Sequence, residues 1–119
     1  MYLFNLDSNN FEKMIENNNI ILIGVYEKDC IISDLFKGVI QKINNFVSKK
    51  IIVAIIEKDE FVKISPLNEK QIFPISLVYE KGQIVKKMYG FYNYFTLIKE
   101  IKKTKFNIWK NMFQKNAEK

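Results

Sequence analysis

Ile72-Phe73-Pro74-Ile75-Ser76-Leu77-Val78-Tyr79-Glu80-Lys81-Gly82-Gln83-Ile84-Val85-Lys86-Lys87-Met88-Tyr89-Gly90 is the stretch on which the reading of this chain turns. Ile75 to Tyr79 and Gln83 to Tyr89 are two short runs rich in β-branched, aliphatic and aromatic residues. Between them lies Glu80-Lys81-Gly82, where glycine supplies the positive φ that a tight hairpin turn requires. The two strands are therefore expected to pair antiparallel. Taken by itself, Pro74 opens the first strand, a position that needs no ladder N–H.

Upstream the pattern changes. Ile20 to Tyr26 and Ile51 to Ile56 are nearly continuous apolar runs, as in strands covered on both faces. Between them, Leu35, Phe36, Val39, Ile40, Ile43, Phe46 and Val47 recur at helical spacing, which predicts an amphipathic helix from Ser33 to about Val47. Two buried strands joined by a helix make a parallel βαβ unit with a right-handed crossover. Met1 to Asn5 can serve as a first strand. Asp7 or Ser8 then caps a helix that carries Phe11, Met14 and Ile15 and ends near Asn17 to Asn19. Downstream of the hairpin, Tyr92 to Lys103 predicts a closing helix with Phe95, Leu97, Ile98 and Ile101 as its apolar residues. The order is βαβαβ followed by αββα, an α/β fold.

The chain has 119 residues, 48% of them hydrophobic, which is one compact domain without a Pro/Gly/Ser-rich linker or an internal repeat. The longest apolar run, Ile51 to Ile56, is far short of a membrane span, and Met1 to Asn10 lacks the basic-then-apolar pattern of an export signal. A soluble, cytoplasmic protein is expected. The absence of histidine excludes Ser-His-Asp and Cys-His catalysis, His-ligated zinc and imidazole acid-base chemistry. Cys30 is the only cysteine, so no intramolecular disulfide forms, and a reducing compartment fits. The net charge of +6 is carried by lysine with no arginine, which argues against sequence-specific nucleic-acid recognition. Glu57, Asp59 and Glu60 match no calcium loop and read as a solvated turn leading into a short helix. No metal site and no cofactor is expected.

A strand, a cysteine opening a long helix, a second buried strand, then Xaa-Pro leading into a lysine-glycine hairpin and a last helix resembles the thioredoxin family over roughly Met1 to Lys103. The most specific part is Ile72-Phe73-Pro74-Ile75 with Tyr79-Glu80-Lys81-Gly82 and Tyr89-Gly90. The resemblance implies a three-layer α/β/α sandwich on a mixed sheet in residues 1–104. It also implies a cis Phe73–Pro74 bond lying against the cysteine. The turn Tyr26-Glu27-Lys28-Asp29-Cys30-Ile31-Ile32-Ser33 stands where the family has Trp-Cys-Gly-Pro-Cys. Cys30 matches the nucleophile, Ser33 takes the place of the resolving cysteine, and Asp29 that of the tryptophan. Gly24 stands where the family keeps a buried aspartate that serves proton transfer to the second cysteine. Phe73, Pro74 and Ile75 would form the platform for a substrate strand, and Tyr26 joins them. Tyr26, Tyr89, Phe91, Tyr92 and Tyr94 read otherwise as core and rim packing.

Two functions follow. A C-x-x-S site can form mixed disulfides with protein or low-molecular-weight thiols in redox homeostasis, but cannot resolve them internally. A helix N-terminus and Lys28 favour the thiolate, whereas Asp29, Asp34 and the apolar Ile31-Ile32 pair oppose it. The alternative is a redox-inactive adaptor that binds a protein partner. Residues 105–119, with Phe106, Trp109, Met112 and Phe113 on one helical face among lysines, read as an amphipathic extension suited to a partner, to self-association or to packing back on the domain.

Overall fold

The computed structural model describes residues 3–46, 51–64 and 73–102. The 105–119 extension therefore lies outside the described residues, as do Pro66 and Ile72. The two apolar runs are strands, β2 (Ile20–Tyr26) and β3 (Ile51–Glu57), joined by helix α2 (Ile31–Phe46). They pair in parallel with an offset of 31 residues, from Ile20 beside Ile51 to Tyr26 beside Glu57. β1 (Phe4–Leu6) adds to the far side of β3, also parallel. The predicted hairpin is β4 (Ile75–Glu80) and β5 (Gln83–Tyr89), and β4 runs antiparallel to β2. The sheet order is β1-β3-β2-β4-β5, a mixed sheet with β2 near its centre.

Alternation along the strands feeds two cores. Ile20 and Leu22 of β2, Ile51, Val53 and Ile55 of β3, Val78 and Met88 pack under Phe36, Ile40 and Ile43 of α2 and Leu97 of helix α4 (Tyr94–Lys102). On the other face Ile21, Ile23, Val25, Ala54, Ile56, Ile75, Leu77 and Tyr79 pack under Phe11 of helix α1 (Phe11–Asn17) and Phe61 of helix α3 (Lys58–Ile64). This is the expected three-layer sandwich. Burying one such aliphatic side chain stabilises by roughly 1.5–3 kcal/mol, so a strand apolar on both faces has its stable place only between two helical layers. The hairpin turn places both Lys81 (φ 51°) and Gly82 (φ 83°) in the left-handed region, the backbone a two-residue hairpin loop demands. No helix of the described residues is long and apolar enough to cross a membrane.

Several boundaries differ from the sequence expectation for local reasons. Asn10 rather than Asp7 or Ser8 holds the N-cap position of α1, and its side chain makes no capping bond to the helix but accepts the Asp7 amide at 2.8 Å. Asp7 instead caps the turn before the helix, its carboxylate accepting the amides of Asn9 (2.8 Å) and Asn10 (3.0 Å). α2 begins at Ile31, two residues early, because Ile31 and Ile32 lie on its outer face and add nothing to the inward stripe. Leu35 also points outward and is 60% exposed, so it does not join the core. α4 starts at Tyr94 rather than Tyr92, with Asn93 Oδ1 accepting the Thr96 amide as its cap.

The acidic residues after β3 are engaged in the fold. Glu57 Oε1 accepts the Asp59 amide, and Glu60 accepts the Ser8 amide at 2.9 Å while pairing with Lys63 at 2.7 Å. Hydrogen bonds from Lys63 and Ser8 hold the Glu60 carboxyl at about 2, below the ordinary 4.5. A carboxylate depressed on folding stabilises fully above its unfolded value, and that contribution is lost as pH falls from about 4.5 towards 2. Glu60→Gln should therefore remove part of the stability at pH 7 and leave stability less steep in that acid window, as read from urea midpoints across pH.

Candidate functional site

Antiparallel pairing sets Val25, near the end of β2, beside Ile75 at the start of β4. The chain leaving β2 and the chain entering β4 therefore emerge at the same end of neighbouring strands. One carries Cys30 and the other Phe73-Pro74. Between β2 and α2, Asp29 adopts φ 56°, a left-handed conformation that Asp tolerates better than most residues, and turns the chain into the helix. The Cys30 carbonyl accepts the Asp34 amide at 3.0 Å, so Cys30, a half-buried residue, sits at the N-cap of α2. The N–H groups of the first turn present partial positive charge there.

Ser33 is fully buried, and its hydroxyl accepts the Glu27 amide at 2.9 Å. That bond fastens the cysteine turn to the first turn of α2. Glu27 Oε2 is 3.2 Å from Lys58 Nζ at the head of α3, and the same ammonium lies 5.2 Å from the centre of the Phe73 ring. The Phe73–Pro74 peptide is cis. Pro74 is buried, and its carbonyl accepts the Gly90 amide at 2.8 Å, which ties the end of β5 to the proline. Gly90 takes φ 91°, which a side chain would resist.

The expected site residues thus divide. Cys30, Ser33, Phe73 and Pro74 gather at one end of the sheet. Ile75 is buried in the face under α1 and α3 and is paired with Val25 of β2 on one side and Tyr89 of β5 on the other, so it anchors the loop and offers no free edge of its own. Tyr26 packs against the core on the α2 side, with Lys37 Nζ 4.5 Å above its ring centre. Around Cys30 the outer face of α2 is apolar, with Ile31 80% and Ile32 51% exposed alongside Leu35. Phe91, next to Gly90, is also exposed. Lys58 and Glu27 escaped the sequence reading. Extending the parallel offset of the two apolar runs by one residue past Tyr26 and Glu57 sets Glu27 beside Lys58, so the signal was present in the spacing.

Beneath the site lies the position where a buried acid would stand. A Cβ on Gly24 would come within 2.7 and 2.9 Å of the Phe36 ring and 3.1 Å of Ile40. Phe36, itself fully buried, occupies that volume. Across the ladder, Ser76 is opposite Gly24 and shares its face. Ser76 Oγ is buried, with no hydrogen-bond partner among the described residues.

No protein-family model matches the chain, and no curated protein matches it in sequence. Solved structures do. A single-residue mutant of thioredoxin from Halobacterium salinarum superposes with a TM-score of 0.68 at 16% identity, covering 87% of this chain and 90% of that one. Plasmodium falciparum thioredoxin gives 0.70 at 16% identity, covering 85% of this chain and 98% of that one. At this identity the likeness establishes the fold.

Two substitutions test the floor of the site. Gly24→Ala forces a Cβ into the Phe36 ring and should cost about 1–3 kcal/mol in urea unfolding, with part recovered when Phe36→Leu is added. Ser76→Ala removes an unpaired buried hydroxyl and should stabilise by about 1 kcal/mol.

Proposed function

We propose that this chain, which has the thioredoxin-like fold, acts as a monothiol thiol–disulfide exchange protein with Cys30 as its nucleophile. The observation that supports the reading is a single, half-buried cysteine at the start of α2, at the same end of the sheet as the loop holding Phe73 and Pro74. The Cys30 thiolate attacks one sulfur of a disulfide R–S–S–R′. A Cys30–S–S–R bond forms, the original S–S bond breaks, and R′–S⁻ leaves with the electron pair. With one cysteine in the chain, release needs a second thiolate from outside, which takes R as a new disulfide and returns Cys30 as thiolate. Protons exchange with solvent, and no net oxidant is consumed.

Each site residue then has a role. The first turn of α2 presents its N–H groups at Cys30, and Ser33 secures the turn by accepting the Glu27 amide. Phe73 offers its main chain to an extended substrate, Pro74 and Ile75 anchor that residue to the end of β5 and to β2, and Tyr26 braces the start of the turn. A conventional dithiol cycle is excluded by the cysteine count, and the filled space at Gly24 agrees with the loss of the proton-transfer step that served it.

A second reading, a redox-inactive binding module, is favoured by the apolar outer face of Ile31, Ile32 and Leu35. One experiment separates the two. Incubated with a peptide disulfide and analysed intact by mass spectrometry, the protein should gain one peptide per chain, lose it on adding dithiothreitol, and gain none as Cys30→Ser. An unmodified wild-type chain that still binds the reduced peptide, with Cys30→Ser binding equally well, supports the adaptor instead.

A further inference from the structure

The contacts around Lys58 form a continuous path from the helix that bears Cys30 to the proline loop. Ser33 of α2 holds the Glu27 amide, Glu27 holds the Lys58 ammonium, and Lys58 lies over Phe73. The peptide after Phe73 leads into Pro74, whose carbonyl holds Gly90. Lys58 thereby connects the cysteine turn and the head of α3 to the proline loop, which the Pro74 carbonyl in turn ties to the end of β5. An ammonium within about 6 Å of a ring centre is attracted by the negative face of the ring, and the ion pair is short enough to be a charge-assisted hydrogen bond.

We infer that Lys58 is a positioning residue that sets the spacing between the cysteine turn and the Phe73-Pro74 loop, and so controls capture of an extended peptide disulfide without touching the sulfur. The inference rests on the exchange reading above, since it names what makes that site selective for a peptide over a small reagent. Both partners of the pair are 37% exposed, so its contribution to global stability is small. Its effect is local. A peptide substrate must contact the sulfur and the proline loop at once, whereas a small alkylating reagent needs the sulfur alone. Loosening the connection between the two loops therefore penalises the first reaction and spares the second.

The test uses the full chain, with Glu27→Gln and Lys58→Met combined so that the net charge beside Cys30 is unchanged. Capture of a peptide disulfide should slow about three- to tenfold, while alkylation by iodoacetamide changes less than about twofold. Lys58→Arg, which retains the ion pair and the ring contact, should recover capture to within about twofold. Equal slowing of both reactions, or unchanged capture, would overturn the inference. Hydrogen exchange gives an independent readout, because the Glu27 amide reports the cysteine turn and the Gly90 amide the proline loop. Both should exchange faster in the double variant. A wild-type protein that captures no disulfide defeats the exchange reading. In that event the two amides alone decide the positioning role, faster exchange at both supporting it and unchanged exchange refuting it.

Discussion

The contact of the Phe36 ring with the bare backbone of Gly24 is the constraint on which the rest of the site depends. It brings α2 down onto the centre of β2, because nothing larger than hydrogen fits between them. Its depth fixes where the first turn of α2 lies, and so where Cys30 stands above the sheet and where Ser33 meets the Glu27 amide. The same contact fills with hydrocarbon the volume a buried carboxylate would need. An ionised acid there would have to displace the ring and accept a severe desolvation penalty.

The charged pair of the site lies at its rim. Glu27 and Lys58 lie at the ends of β2 and β3, half-exposed, where an ion pair keeps contact with water and avoids the cost of burial. Ser76, by contrast, is buried. It sits opposite Gly24 on the same face, and its hydroxyl has no partner among the described residues. The setting of Cys30 is made by backbone: the start of a helix, the left-handed turn at Asp29 and a proline loop at the same end of the sheet.

Much of this was legible in the sequence because it rests on short-range pattern. The runs Ile20 to Tyr26 and Gln83 to Tyr89 coincide with their strands, and the glycine of Glu80-Lys81-Gly82 fixes the hairpin. What escaped depends on apposition or on surface. Ile31 and Ile32 begin α2 yet face outward, so a reading based on the buried stripe starts the helix late. Leu35 fits the helical spacing but falls at the edge of the stripe, one position from Phe36, which takes the core. Asp7 and Asn10 are both good caps, and only the extra turn between β1 and α1 distinguishes their roles. Ser33's bond to Glu27 spans six residues across a turn whose shape no periodicity encodes.

On the proposed exchange function, the fold, and not merely the presence of a thiol, equips Cys30 to capture a disulfide. The most direct measurement compares the second-order rate constant for peptide-disulfide capture by the folded chain with that of a blocked peptide spanning residues 27–33. Helix placement and the proline platform predict that the folded chain reacts faster by about tenfold or more. Equal or slower capture by the folded chain would contradict the account.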